Sequence, residues 1–132
     1  MAEPRNRALY LLLVIHGCIT LAAGAVLVAA PGAIPSFVDV ELAPGGFVVC
    51  YFLAGAEFSI AFLSFYAARC REAESLHLAV LTIIVFHAAT ALLELYALRR
   101  GIDVRLWSNV ALRAIVIALF AYYGARVSMA ES

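Results

Sequence analysis

Four long apolar runs alternate with short polar breaks along this chain. The pattern predicts four helices, each long enough to cross a bilayer. The runs cover residues 8–30, 47–68, 76–99 and 107–124, close to the roughly 20 residues that span ~30 Å of hydrocarbon at 1.5 Å per residue. The first run stops at Pro31-Gly32 and the third at Gly101, both strong helix stops. The breaks after the second and third runs are short, which makes the helices they join antiparallel neighbours. The expected fold is all-α: a four-transmembrane-helix up-down bundle, one membrane domain over 1–132, with both ends of the chain on one side.

The break from Pro31 to Gly46 is longer. It holds Pro31, Pro35, Pro44 and the pair Gly45-Gly46, with Phe37, Val38 and Val40 set among Asp39 and Glu41. It is too short and too rich in proline to span. It predicts a short interfacial helix or an ordered cap between the first two spans, and it also suits a lid over a cavity.

Polar positions inside the runs set the packing faces. His16, Thr20 and Gly24 follow each other at four-residue spacing, so they share one face of the first helix. Leu11, Val14, Cys18, Leu21 and Val28 lie opposite and suit lipid. Ala54, Glu57, Ala61, Ser64 and Ala68 form a stripe on the second helix, and Ala114, Ala118, Ala121 and Ala125 form one on the fourth, beside Arg113. Small residues let membrane helices approach closely. On the third helix His87 and Glu94 lie two turns apart on one face, with Thr90 and Ala91 between.

Five titratable groups thus fall inside the spans, away from their ends: His16, Glu57, His87, Glu94 and Arg113. An unpaired charge at mid-bilayer costs at least ~2.5–3.5 kcal/mol on the insertion scale, so these side chains are expected to face each other, a cavity or a partner. Counting along the helices puts Glu94 ~7 Å and Arg113 ~9 Å from the same interface. They sit on neighbouring helices, which predicts a structural Glu94–Arg113 ion pair. Exchanging the two should then largely preserve folding. Glu57 and His87 both lie ~16 Å deep, which predicts a Glu57–His87 contact near the midplane, serving either as a register-fixing pair or as a proton site.

His16 is ~10 Å deep and reads first as a hydrogen-bonding packing residue. A sharper alternative makes His16 and His87 axial ligands of a haem b, or makes His16, Glu57 and His87 a candidate intramembrane metal or polar site. No CxxCH or HExxH spacing supports a cofactor, so the cofactor is unknown. The chain also holds no nucleophile–base pair and no phosphate-binding glycine loop, and an enzyme is not expected.

Composition agrees with the pattern. The chain is 66% apolar and 14% charged, against roughly 45–50% and about 25% for soluble domains. Mean hydropathy is +1.01. Net charge is zero, and nothing points to nucleic acid. Apart from His, all 9 basic residues are Arg, which together with abundant Ala fits a GC-rich bacterial genome. Arg5, Arg7, Arg69, Arg71 and Arg126 fall on the terminal side, and Arg99, Arg100 and Arg105 on the other. The imbalance places both termini in the cytoplasm of a bacterial inner membrane. Cys18, Cys50 and Cys70 are odd in number and lack CxxC spacing, so they read as packing residues. A basic start, an apolar run and VAAPGA also describe a signal peptide, but the first run exceeds the usual 7–15 residues, which favours a retained helix.

The helix-one ending AAPGA, the second helix YFLAGAEFSIAFLSFYAAR and the short arginine turns resemble the small bacterial four-helix membrane proteins of the DoxX-like and DUF4345-type kind. The stretch FHAATALLELY is more faintly similar to Erg28-type scaffolds of sterol synthesis, which hold enzymes together and catalyse nothing. The resemblance implies a four-span membrane protein and assigns no catalytic residue. The leading expectation is a non-catalytic ligand-binding or scaffold protein. It would act in the lipid bilayer on a small hydrophobic ligand, a membrane-protein partner or a second copy of itself. The alternative is a proton-coupled transport or haem b redox component using His16, Glu57 and His87.

Overall fold

A computed structural model describes residues 7–101 and 105–128. Arg5, one of the arginines weighed for orientation, lies outside the described residues. The order is α1 (Arg7–Ala29), α2 (Ala33–Phe37), a 3-10 turn at Pro44–Gly46, α3 (Phe47–Arg69), α4 (Ala73–Arg99) and α5 (Leu106–Ser128). Among the described residues there is no strand. The four long helices are each long and apolar enough to cross a membrane, and the protein is an integral membrane bundle.

α1 packs chiefly against α3, and α4 against α5. The two pairs meet more thinly, through α3–α4 and α1–α5. Around the bundle the order is therefore α1, α3, α4, α5, with α1 diagonal to α4 and α3 diagonal to α5. Glycine explains the close α1–α3 pairing. A Cβ on Gly17 would stand 2.9 Å from the Phe65 ring, and one on Gly24 would stand 2.6 Å from the Phe58 ring. Both distances are shorter than non-bonded carbons tolerate, so the rings fill space that only a bare backbone leaves.

Two apolar clusters sit at opposite ends of the bundle. Leu9, Leu13, Ala67, Ala68, Ala79, Val80, Ile83 and Phe120 form the larger one, towards the terminal side. Leu27, Cys50 and Ala54 form the smaller one, towards the cap. His16, Thr20, Glu57, Ser64 and His87 are buried as well. The outer surface is apolar: Phe52, Phe62, Leu92 and Leu93 are each more than 60% exposed, as lipid-facing side chains should be. Trp107 is exposed at the start of α5 and Tyr122 near its end. The Arg126 guanidinium lies 4.3 Å over the Tyr122 ring, an arrangement suited to the interface.

One packing face differs from expectation. Ala114, Ala118, Ala121 and Ala125 are all exposed, while Arg113, Phe120 and Gly124 turn inward. The Arg113 pairing described below and the burial of Phe120 fix the rotation of α5. The alanine stripe is left on the adjoining, outward face.

The Pro31–Gly46 segment folds as a cap. Cys50 Sγ donates to Pro31 O at 3.1 Å, which ties its start to α3. Arg105 pairs with Asp39 at 3.0 Å, and its Nη1 donates to Phe37 O at 3.4 Å, which ties its middle to the foot of α5. Asp39 turns the chain at φ 58°, a left-handed conformation that Asp tolerates better than most residues.

Candidate functional site

The bundle interior is crossed by one connected line of polar side chains. Its centre is a contact between the diagonal helices: His16 Nε2 of α1 and His87 Nε2 of α4 are 2.8 Å apart. His16 Nδ1 lies 2.9 Å from Ser64 Oγ of α3. His87 Nδ1 lies 3.2 Å from Arg113 Nη1 of α5. Arg113 Nε donates to Glu94 Oε1 at 3.0 Å, and Asn109 Nδ2 donates to the same oxygen at 2.6 Å. All four long helices contribute, which joins the two helix pairs where their apolar contact is thin.

The ends of the line decide where its protons sit. Arg113 can only donate, so His87 Nδ1 must accept. His87 then carries its proton on Nε2 and donates to His16 Nε2. His16 carries its proton on Nδ1 and donates to Ser64 Oγ. Ser64 passes its hydroxyl proton to Ile60 O, 2.8 Å away. The opposite polarity would set a His87 Nδ1–H against an Arg113 N–H. Only one arrangement satisfies both imidazoles, and in it both are neutral; Glu94 Oε2 is left buried without a hydrogen-bond partner among the described residues. Thr20 Oγ1 donates to His16 O at 3.0 Å, and the Phe120 ring stands edge-on to His16 at 5.2 Å, so the His16 ring is held on several sides.

The sequence places these residues by simple periodicity. Asn109 and Arg113 are one turn apart on α5, and His87 and Glu94 two turns apart on α4, so each pair shares a face. Arg113 and Glu94 side chains are 14% and 13% exposed, and the two form the ion pair that their places on neighbouring helices predict. The Glu57–His87 contact is not formed. Both His87 nitrogens are taken by His16 and Arg113, and Glu57, 9% exposed, makes no hydrogen bond or ion pair among the described residues. Sequence reading missed Asn109 as a partner of Glu94 and took Ser64 only for a small packing residue. The signal for Asn109 was its i, i+4 relation to Arg113.

The histidine geometry bears on ligation. Two nitrogens on opposite sides of one metal at ~2.0–2.1 Å each would stand ~4 Å apart, whereas these stand at 2.8 Å. A ligating histidine also donates its other N–H to an acceptor. His16 does so towards Ser64, but His87 faces a donor, Arg113. Among the described residues no group of three or more His, Cys, Asp or Glu side chains is arranged to hold a metal ion.

A second feature lies beside the line. An open apolar recess of about 260 Å³ lies beneath the cap, with Leu27, Val38, Val40, Leu42, Leu53 and Leu106 in its wall. Asn109, the amide donor to Glu94, also lines it.

Fold and interior define the class: a four-span integral membrane bundle with a hydrogen-bonded polar layer across its middle and an open apolar recess beneath the cap at one end. Compared with known proteins, the chain matches no family model, no curated protein and no solved structure.

Proposed function

We propose that this is a non-catalytic membrane protein that holds a small hydrophobic ligand beneath the Pro31–Gly46 cap. The open apolar recess of about 260 Å³ carries the reading. Ligand pockets are concave and mostly apolar with few polar groups, and this recess has that character. Asn109 is the amide in this wall, and Glu94 holds it in orientation. On this reading the polar line is a brace: its hydrogen bonds run in one direction from a fixed donor, so it sets helix register beside the recess. With the termini in the cytoplasm, as the arginine distribution suggests, the cavity opens on the far side of the membrane.

Mass spectrometry of the lipid extract of purified protein tests this. Val38→Trp places a large side chain in the cavity wall from the cap, away from the helix contacts. A hydrophobic molecule should co-purify with the wild type and fall several-fold in Val38→Trp, with the melting temperature little changed. Identical extracts from the two proteins would contradict the reading. A co-purifying protein that depends on the cap would favour a scaffold instead.

A further inference from the structure

We propose that Glu57 is a proton-binding site in the middle of the membrane, a carboxyl group that stays neutral because the rest of the interior is already balanced. The proposal does not depend on what fills the cavity.

The interior charges are few. Arg113 is balanced by Glu94, with which it forms an ion pair. His16 and His87 are neutral, because the hydrogen bonds they make admit no second proton on either ring. Among the described residues, that leaves Glu57 as the one interior acid without a counter-charge of its own. α3, which carries it, packs against α1 and α4, and α5 stands across the bundle. α1 brings His16 to this interior, α4 brings His87 and Glu94, and α5 brings Arg113. Arg113 is the charge close enough to act on Glu57 electrostatically, yet it hydrogen-bonds to His87 and Glu94 and not to Glu57. The N–H groups of both imidazoles are likewise committed.

Glu57 lies far from either end of α3. It sits mid-helix at 9% exposure, on the same buried face as Ala54, Ala61 and Ser64. An ionised carboxylate there would carry the insertion cost of a charge at mid-bilayer with no bond to offset it. A bound proton removes that cost and needs no space, whereas an organic cation would need a pocket at this depth. The chemistry points to a proton as the occupant, and to Glu57 as the place where the bundle can take one up.

Infrared spectroscopy of the purified protein at mildly alkaline pH reads this directly. Carboxyl groups in water are then ionised, so a carbonyl stretch of a protonated carboxyl has to come from a buried acid. The wild type should show that band. Glu57→Gln should abolish it, and Glu74→Gln, at the exposed start of α4, should leave it. Should Glu57→Gln not fold, Glu57→Asp keeps the carboxyl and should shift the band frequency. A wild type without the band, a band that survives Glu57→Gln, or one unmoved in Glu57→Asp would overturn the proposal.

Discussion

Arg113 fixes the direction of the interior hydrogen bonds, because it is the one member of the line that cannot accept. Truncating it to Ala leaves Glu94 with Asn109 alone and leaves His87 Nδ1 without a donor. Breaking a buried pair from one side costs on the order of 3 kcal/mol, so thermal melts of Arg113→Ala should fall far below wild type. Arg113→Lys should recover only part of the loss. A single ammonium cannot reproduce the fork that meets Glu94 through Nε and His87 through Nη1. The same fork changes the expectation for the exchanged pair. Glu at 113 would set an acceptor against His87 Nδ1, so the swap should be clearly less stable than wild type. Ser64→Ala is a milder case: it strands the His16 Nδ1–H, at about 1–3 kcal/mol for a buried unsatisfied donor. At this scale the Glu94–Arg113 pairing was legible, since the two residues flank a short turn at equal depth. The His16–His87 bond was not. Depth counts say how far down a side chain lies but not which way it turns about its helix axis, and His87 turns towards the diagonal helix instead of Glu57.

Among the helices, α1 and α3 depend on glycine for their spacing. Gly24→Leu should push the Phe58 ring aside or part the helices, at about 1–3 kcal/mol, and should lower the melting temperature. Gly55→Leu is the control, because nothing lies within 4 Å of a Cβ there and no effect is expected. Equal losses in both would show that the α1–α3 contact is not where stability resides. Helix existence and extent could be read from apolar runs, stops and turns, and α2 from the proline-rich break. Helix rotation was readable on α1 and α3, where polar and small residues fall on one stripe: His16, Thr20 and Gly24, or Ala54, Glu57, Ala61 and Ser64. On α5 the alanines at 114, 118, 121 and 125 gave a competing stripe. Alanine is as content against lipid as against a helix, so Arg113 and Phe120 decided the matter.

For the whole molecule, the arrangement is two helix pairs joined by apolar packing at one end and by polar side chains in the middle. Composition alone dictates the solvent. The interior could be anticipated as a place where ionisable groups meet, since lipid rejects them, but their wiring required coordinates. Orientation is testable with the native thiols. Cys70 sits at the polar α3–α4 turn, Cys18 faces outward within a span and Cys50 is buried. A membrane-impermeant maleimide should label Cys70 in inside-out vesicles and not in intact cells. Labelling from outside would place the termini, and with them the opposite, capped end, on the reverse sides.

The account stands or falls on the His16–His87 bond. Nitrogen-15 NMR of histidine-labelled protein reads it through the scalar coupling that a hydrogen bond transmits between two nitrogens. The expected result is a coupling between the two Nε2 atoms, with the proton on His87 Nε2 and on His16 Nδ1, and neither ring doubly protonated. Two uncoupled rings, or an imidazolium at either position, would contradict it.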